Sequence, residues 1–351
     1  MNIVQAPIQT AIASFGMSGK IFHAPAINHH KGFSLDTILE RSSDKSKDKY
    51  PSVTVAKSFE EILNDPKIEL VVINTPNEFH FPMTKACLHA GKHVVVEKPF
   101  TIITTEGLAL VKIARDQNLI LSVYHSKRFE TDFLTVKSIL DKGLVGKPVE
   151  LHWHYDRYRT HITHKKWKED NLPGSGVLYD LGVHLIDSTL QLFGMPETVT
   201  CHTRSIRDGA SSPDYFHMRL GYGTMDAYLH SNIMTLQKGA NIALHGTTGS
   251  YLKYGTDPQE EQLKTGLTAS DSAYGIENPE EYGTLTSILN QEINTEKYKS
   301  VDASYVDFYD GIFNAIRHHK PNPVPPEQAA QNIRIIEYAM QSNNEGRTIN
   351  I

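Results

Sequence analysis

The sequence predicts an α/β chain that begins with a doubly wound parallel sheet and continues as an α+β part with a mostly antiparallel sheet. In the first third, short apolar runs alternate with helical segments, and a glycine-containing loop follows the first run. Beyond residue 142, apolar runs follow one another with few helices between them. We place the boundary at Lys127, which gives domains 1–127 and 128–351, with the last helix free to pack back on the first domain.

Composition limits the class of protein. The chain has 351 residues, 39% of them hydrophobic and 21% charged, as in ordinary globular proteins large enough for two cores. Its formal net charge of -5 argues against nucleic acid as a partner. Two cysteines give no disulfide framework, and no apolar run approaches the ~20 residues of a membrane span. Because the N-terminus lacks a signal-peptide pattern, we expect a cytoplasmic protein.

The elements of the first domain follow from its apolar runs and from residues typical of helix ends. Ser58 and Glu61 form the pattern of a capping box, and Gly91 is placed to end a helix. The predicted strands are 8–15, 35–39, 53–55, 70–73, 93–96 and 119–123. The predicted helices are 20–28, 59–64, 81–90 and 105–117.

The elements of the second domain are mainly strands. A helix over 178–193 stops at Gly194, and residues 221–223 have the composition of a hairpin turn. Polar residues 256–274 predict a long surface loop. The predicted strands are 149–155, 198–205, 216–222, 226–231, 242–244 and 251–253. The other predicted helices are 133–142, 305–318 and 327–342.

The loop at 14–19 reads Ser-Phe-Gly-Met-Ser-Gly, which is the dinucleotide-binding pattern G-x-G-x-x-G with serine in place of the first glycine. Gly16 would let the backbone approach a pyrophosphate, and Gly19 would let the helix pack on the strand. The helix N-terminus would add N–H donors for the phosphates. A plain strand-to-helix turn is the alternative explanation of two glycines. The predicted cofactor-binding residues of this loop are Gly16, Met17, Ser18, Gly19 and Lys20.

The residues after the second strand decide between the two nicotinamide dinucleotides. An acidic residue there binds the ribose hydroxyls of NAD, whereas an arginine accommodates the phosphate of NADP. The chain has Glu40 and Arg41 side by side. Arg41, with Ser42, Ser43 and Lys45, can form a phosphate pocket if Glu40 turns away. We therefore expect NADP in preference to NAD, with Glu40, Arg41 and Ser42 at the cofactor.

Two separate motifs supply candidate catalytic residues. Glu97-Lys98-Pro99 ends the fifth strand, at the sheet edge where open α/β sheets bind ligands, so we expect a catalytic lysine and not a surface ion pair. Asp180 and His184 are four apart in a predicted helix and so share one face. Asp180 can fix the tautomer of His184, whose other nitrogen can take a proton from a hydroxyl. A purely structural Asp–His pair is the alternative.

Several further polar residues are candidates for the pocket. The residues after the sixth strand can contact either the nicotinamide or the substrate, or they can form a hinge between the domains. These residues are Tyr124, His125 and Arg128. A second group is expected to line the substrate pocket. It consists of Tyr155, Asp156 and Arg157, which are consecutive, and of Trp167. Four histidines have neither a cysteine partner nor a close carboxylate and are candidates to line the same substrate pocket instead of a metal site; they are His152, His154, His161 and His164. No metal site is therefore predicted.

Four stretches together resemble the Gfo/Idh/MocA oxidoreductases, and within them the NADP-dependent scyllo-inositol dehydrogenase branch. They are 16–23, Thr75-Pro76-Asn77 with His80, Glu97-Lys98-Pro99, and 178–184. The likeness to that branch rests further on 122–125, 192–196 and 215–217, whereas Ser14, Glu40 and Ser126-Lys127-Arg128 depart from the family pattern. The resemblance implies an N-terminal Rossmann domain, a C-terminal α/β domain with a large open sheet, and dimers or tetramers built through that sheet. The cofactor contacts that it implies are Thr75, Pro76, Asn77, His80, Glu97, Lys98 and Arg128.

The family resemblance also implies a reaction, reversible hydride transfer between a nicotinamide cofactor and a secondary alcohol of a cyclic polyol or sugar. His184 would take the hydroxyl proton, held in place by Asp180, and Lys98 would stabilise negative charge on the same oxygen. We expect Lys98 and His184 to converge on that oxygen. Two alternatives stay open: an NAD-dependent glycosidase of the same family, and a regulator that binds the cofactor without catalysis.

Overall fold

A computed structural model gives the structure of the protein and describes residues 6–162 and 169–351. The fold forms two compact units. The first contains the described residues up to Ser126, together with Gln259–Tyr274 and Ser304–Ala330. The second contains the described residues of Lys127–Pro258, Gly275–Ala303 and Gln331–Ile351. That 1–127 and 128–351 are separate folding domains stays a prediction.

The described residues form strands and helices in the following order along the chain. The strands are β1 Ile8–Ile12, β2 Phe33–Leu39, β3 Thr54–Ala56, β4 Leu70–Ile73, β5 His93–Glu97, β6 Leu121–Tyr124, β7 Pro148–His154, β8 Thr198–Arg204, β9 Tyr215–Gly221, β10 Asp226–Asn232, β11 Ile242–Gly246, β12 Gly249–Lys253, β13 Gly283–Leu289, β14 Glu292–Tyr298 and β15 Ile349–Asn350. The α-helices are α1 Ala24–His29, α2 Phe59–Asn64, α3 His80–His89, α4 Thr104–Asp116, α5 Thr131–Asp141, α6 Val183–Phe193, α7 Gln259–Thr265, α8 Val306–His318 and α9 Pro326–Glu345. None of the helices in the described ranges is both long enough and apolar enough to cross a membrane.

The first unit is built on a six-stranded parallel sheet in the order β3-β2-β1-β4-β5-β6. All four residues of β4 are buried, as are Val94, Val95 and Val96 of β5. Strands buried on both faces are typical of parallel sheets covered by helices. The chain reverses its direction of winding between β1 and β4, and in such sheets the loops at this switch point bind ligands. The predicted doubly wound parallel sheet is confirmed.

Local sequence signals account for several boundaries in this sheet. The Ser58 side chain accepts a hydrogen bond from the Glu61 backbone N–H while Glu61 reaches back to the Ser58 N–H, so the predicted capping box of α2 is confirmed. The first helix differs from the prediction, because Gly19–His23 is a π-helical turn and the α-helix begins only at Ala24. Pro25 has no N–H to donate, which favours an irregular turn ahead of it.

The second unit is built on a nine-stranded sheet in the order β14-β13-β12-β11-β7-β10-β9-β8-β15. Only β7 and β10 pair in parallel, and the other neighbours are antiparallel, as predicted. Residues of β9 and β10 alternate between buried and half-exposed positions, so one face of these central strands lies in the core and the other remains partly accessible.

Two parts of the second half of the chain differ from the prediction. Residues 256–274, predicted as a surface loop, contain the helix α7. The hairpin of β13 and β14 was not predicted, because nearly every residue of β14 is exposed and no apolar alternation marks it. Asn290 and Gln291 both have positive φ, at 52° and 68°, which suits the tight turn of a two-residue hairpin.

Candidate cofactor site and catalytic residues

The glycine loop lies between β1 and the π-helical turn and is held by polar contacts from two directions. Asn74, at the end of β4, donates from Nδ2 to the Ser14 carbonyl oxygen at 2.8 Å. The Ser14 hydroxyl accepts from the Gly16 N–H at 3.2 Å. Ser14, which replaces the first glycine of the pattern, therefore stabilises the loop through a hydrogen bond within it. Asn74 is a residue that the sequence prediction missed, since it was read only as the end of a strand.

The two glycines of the loop differ in the space around them. A Cβ atom on Gly19 would lie 2.3 Å from the Ser14 carbonyl oxygen and 2.9 Å from Asn74 Nδ2, so Gly19 is required by packing. A Cβ on Gly16 would meet only the Ser14 hydroxyl, at 3.4 Å, which is an ordinary contact. The fold itself therefore leaves room at Gly16, and this open cradle fits the close approach of a dinucleotide pyrophosphate.

We expect alanine at these two glycines to give opposite results. Gly16→Ala should leave the free energy of unfolding within about 1 kcal/mol of wild type and weaken NADPH binding, because the new methyl group fills the cradle. Gly19→Ala should lower the free energy of unfolding by about 1–3 kcal/mol, because backbone must move. Urea unfolding and fluorescence titration with NADPH measure both quantities. A Gly16→Ala variant that binds NADPH as tightly as wild type would contradict this assignment.

The Glu40 carboxylate is buried within the loop that follows β2. It accepts hydrogen bonds from the Ser43 hydroxyl at 2.5 Å, the Ser46 N–H at 2.8 Å and the Lys45 N–H at 3.1 Å. Burial opposes ionisation of this carboxyl, but these hydrogen bonds outweigh it and hold the pKa of Glu40 below its ordinary value. The Glu40 carboxylate therefore stabilises the loop. The prediction of NADP requires that Glu40 be engaged in this way and not directed at the ribose.

Basic side chains surround the same loop. Lys57 donates to the carbonyl oxygens of Ser43 at 2.9 Å and Glu40 at 3.3 Å, and it pairs with Asp44. Arg41 is exposed and, within the described ranges, its guanidinium takes part in no hydrogen bond or ion pair. A cavity of about 370 Å³ lies beside it. The residues that line this cavity are Ala13, Ser14, Phe15, Gly16, Leu39, Glu40, Arg41, Ser43, Thr75, Pro76 and Phe79.

The cavity brings together part of the predicted cofactor set. Gly16, Glu40, Arg41, Thr75 and Pro76 line it. The predicted residues that do not line it are Met17, Ser18, Gly19, Lys20, Ser42, Asn77, His80, Glu97, Lys98 and Arg128. Met17 and Ser42 are exposed near its lining, and Lys20 Nζ lies 5.3 Å from the centre of the Phe15 ring. Cofactor contacts by all of these residues stay predictions.

At the end of β5, Glu97 belongs to a chain of buried hydrogen bonds. His23 Nε2 donates to Glu97 Oε1 at 3.0 Å, and in the neutral ring His23 Nδ1 accepts from the Tyr309 hydroxyl of α8 at 2.7 Å. Burial opposes ionisation of Glu97, but the hydrogen bond from His23 and the nearby charge of Lys98 outweigh it and lower the pKa of Glu97. An ionised Glu97 is thus fixed next to Lys98, which is half-buried. The sequence prediction missed His23 and Tyr309 because they are distant from Glu97 along the chain.

His80 braces two loops of the same sheet edge. Its ring nitrogens lie 2.7 Å from the Pro99 carbonyl oxygen and 2.9 Å from that of Thr75. Burial lowers the pKa of His80, so in the neutral ring one nitrogen donates and the other only contacts its carbonyl. The observed role of His80 is to hold together the segments that follow β4 and β5.

In the second unit, Asp180 lies in a π-helical turn, Leu178–Gly182, that precedes α6. His184 is buried in the first turn of α6. The segment 178–193, predicted as a single helix, therefore consists of a π-helical turn followed by the α-helix α6. The rule that residues four apart share a face applies to α-helical turns, so it does not by itself place Asp180 beside His184. Their pairing and catalytic roles stay predictions.

Other predicted pocket residues have structural partners. Arg128 forms a buried bidentate pair with Asp187, at 2.8 Å from Nε to Oδ2 and 2.6 Å from Nη2 to Oδ1. This pair fixes the Arg128 guanidinium within the second unit, and the cofactor contact of Arg128 stays a prediction. Tyr124 is 2% exposed and contacts the rings of His23 and Phe308, with centroids 4.5 Å and 5.0 Å away.

The remaining predicted substrate residues are described only in part. His125 is fully buried, whereas Tyr155 and Arg157 are half-buried just after β7. Trp167 lies outside the described residues. Substrate contacts by Tyr124, His125, Tyr155, Arg157 and Trp167 stay predictions.

Comparisons with known proteins agree with this fold. The model for "Oxidoreductase family, NAD-binding Rossmann fold" matches residues 8–125, and that for "Oxidoreductase family, C-terminal alpha/beta domain" matches 137–351. The scyllo-inositol 2-dehydrogenase (NADP(+)) IolW of Bacillus subtilis strain 168 is 40% identical over 342 residues, which cover 97% of this chain and 95% of that protein. The uncharacterized oxidoreductase YdgJ of Escherichia coli strain K12 is 38% identical over 342 residues, covering 97% of this chain and 98% of its own.

Solved structures show the same likeness. The Bacillus subtilis protein yvaA has a TM-score of 0.96 at 39% identity, with 99% of each chain covered. An oxidoreductase from Bacillus cereus has a TM-score of 0.90 at 30% identity, with 98% of each chain covered. Both family models and these relatives span nearly the whole chain. The protein therefore belongs to the Gfo/Idh/MocA family of oxidoreductases and carries its NAD-binding Rossmann fold.

Proposed function

We propose that this protein is an NADP-dependent dehydrogenase that interconverts a secondary alcohol and a ketone on a cyclic polyol of the inositol kind. What carries this proposal is the 40% identity to scyllo-inositol 2-dehydrogenase (NADP(+)) over nearly the full length of both proteins. The open cradle at Gly16 and the loop after β2 support it independently. We further propose that the active form is a homodimer or homotetramer joined through the nine-stranded sheet.

The preference for NADP follows from the side chains after β2. The Glu40 carboxylate accepts hydrogen bonds from the Ser43, Lys45 and Ser46 groups, which hold it to its own loop. Although Glu40 lines the cavity, we therefore expect Arg41 to contribute more than Glu40 to recognition of the ribose end of the cofactor. Arg41 lines the cavity with an exposed guanidinium, and the Ser43 hydroxyl lies beside it. A guanidinium binds a phosphate through two parallel charge-assisted hydrogen bonds, which suits the 2′-phosphate of NADP.

We assign the proton chemistry to Lys98, Asp180 and His184. The bound nicotinamide supplies the hydride chemistry, and the protein supplies orientation and proton transfer. In the oxidation direction, His184 takes the proton of the substrate hydroxyl, and Asp180 orients His184. Lys98 donates a hydrogen bond to the same oxygen and stabilises the negative charge that develops there. Glu97, whose pKa is lowered and whose carboxylate is fixed by His23, places a negative charge next to Lys98 and helps to position it.

A substrate panel tests the proposal. The purified protein is assayed with NADPH or NADH and a set of cyclic keto-polyols and ketoses, and with NADP or NAD and the matching polyols and aldoses, while nicotinamide absorbance is followed. We expect net cofactor turnover with at least one cyclic polyol and faster turnover with NADP(H). Sugar release from glycosides without net cofactor change would instead show a glycosidase. Tight NADPH binding without turnover across the panel would show a regulator, and either result would overturn the proposed activity.

A further inference from the structure

The half-exposed face of the nine-stranded sheet carries a cluster of histidines that the proposed dehydrogenase chemistry does not use. His154 is the last residue of β7 and His230 lies directly across from it on β10, the parallel neighbour. Asp156 follows two residues after the end of β7. One ring nitrogen from each histidine and one carboxylate oxygen of Asp156 all lie within 4.8 Å of one another. The residues come from two regions of sequence that only the sheet brings together.

The spacing of these three groups suits a shared metal ion. Asp156 Oδ1 lies 3.0 Å from His230 Nδ1, and Asp156 Oδ2 lies 3.7 Å from His154 Nδ1. Two ligand atoms that bind one Zn²⁺ tetrahedrally at ~2.05 Å are separated by about 3.3 Å, and the three groups, which offer ligand atoms within 4.8 Å of one another, reach that spacing with small side-chain movements. Two imidazoles and one carboxylate form a ligand set that zinc uses, with a fourth position left for water.

The Asp156 carboxylate is the group that both imidazoles face. His230 Nδ1 is shielded from solvent and lies 3.0 Å from Asp156 Oδ1, while His154 Nδ1 lies 3.7 Å from Asp156 Oδ2. The carboxylate therefore holds the two rings close together, and an ion bound between the three groups would replace these contacts.

The backbone fixes the three ligands before any ion binds. The Tyr155 N–H donates to the His230 carbonyl at 2.9 Å, which continues the pairing of β7 with β10 past the end of the strand. The Asn232 N–H donates to Asp156 Oδ1 at 2.9 Å, which holds this carboxylate against β10. Asp156 is buried, whereas the side chains of His154 and His230 are 29% and 16% exposed within one chain, so the two imidazoles are the accessible ligands of the cluster.

We propose that His154, Asp156 and His230 bind one divalent transition-metal ion of the zinc type on this sheet face. The site lies on the second unit alone and does not depend on the proposed dehydrogenase function. His217, whose ring centre is 5.8 Å from that of His230, flanks the cluster from β9. The sequence prediction of no metal site missed Asp156 as the close carboxylate and could not place His230 next to it.

Metal titration of the full-length protein tests the site. After treatment with a chelator and its removal, the protein is titrated with Co²⁺ alone, whose visible absorption reports the ligand geometry, and with Zn²⁺ alone in competition with a chromophoric chelator. We expect one equivalent per chain. His154→Gln and His230→Gln should each weaken Zn²⁺ binding by at least about tenfold, since even the loss of an outer-sphere partner of a metal ligand costs that much.

The matched control is His202→Gln, which removes an exposed histidine of the neighbouring strand β8 and should leave Zn²⁺ affinity within about twofold of wild type. Circular dichroism confirms that each variant is folded, and if His230→Gln does not fold, His154→Gln decides the outcome because its side chain is more exposed. Absence of stoichiometric binding, or a His154→Gln variant that binds Zn²⁺ like wild type, would overturn the proposal.

Discussion

Lys98→Met is expected to lower kcat by about 100- to 1,000-fold or more on whichever cyclic polyol the wild-type enzyme oxidises, with NADPH affinity nearly unchanged. Methionine is close to lysine in length and is apolar, so it fits the half-buried position at the end of β5. It removes the cation that we assign to the substrate oxygen. A donor aimed at developing negative charge acts mainly in the transition state, so its loss lowers kcat more than it raises KM.

The measurement combines steady-state kinetics with NADPH fluorescence titration on the same preparation. Lys112→Met is the matched control, since Lys112 lies exposed on α4 in the same unit and should turn over like wild type. A Lys98→Met enzyme that retains turnover near that of wild type would remove Lys98 from the chemistry. A large loss of NADPH affinity with kcat unchanged would make Lys98 a cofactor-binding residue.

Arg41→Ala is expected to lower kcat/KM for NADPH by about 10- to 100-fold, and to change kcat/KM for NADH by less than about threefold. The reason is the separation of roles after β2, where Glu40 folds the loop and the Arg41 guanidinium stays exposed beside the cavity. Only NADP carries the 2′-phosphate for that guanidinium. Selective loss with one cofactor therefore distinguishes phosphate recognition from general damage to the loop.

Arg115→Ala serves as the matched control for Arg41, because Arg115 is an exposed arginine of α4 whose pairing with Glu327 is at the surface. It should alter neither cofactor's kinetics. Equal losses with NADPH and NADH in Arg41→Ala would mean that the arginine supports the loop. No loss with either would exclude it from the cofactor site, and wild-type preference for NADH would contradict the NADP assignment outright.

Much of the fold could be predicted because its signals are local. The capping box of α2 depends on two residues three apart, and the buried strand β4 is a short apolar run between breakers. The strand β14 could not be predicted in the same way, since it is an exposed edge strand held by backbone pairing with β13. The π-helical turns before α1 and α6 likewise follow from no period in the sequence, although Pro25 lies just after the first of them.

The candidate site was harder to predict because its contacts are distant along the chain. The sequence indicated that Glu40 and Arg41 compete for the ribose, but only the fold shows the Glu40 carboxylate engaged by Ser43 and Ser46. Arg128 is predicted to contact the cofactor, and only the fold shows that its guanidinium also pairs with Asp187, which is distant from it in sequence. His230 and Asp156 are also distant from each other along the chain, so no spacing rule could have joined them.

Transfer of deuterium tests the central proposal most directly. The enzyme is incubated with NADPH that carries two deuterium atoms at C4 of the nicotinamide and with the cyclic keto-polyol that it reduces fastest, and the product is examined by mass spectrometry and NMR. We expect one deuterium on the new carbinol carbon for each NADPH consumed. Product without deuterium on that carbon, or no reduced product from any cyclic keto-polyol, would contradict hydride transfer to such a substrate.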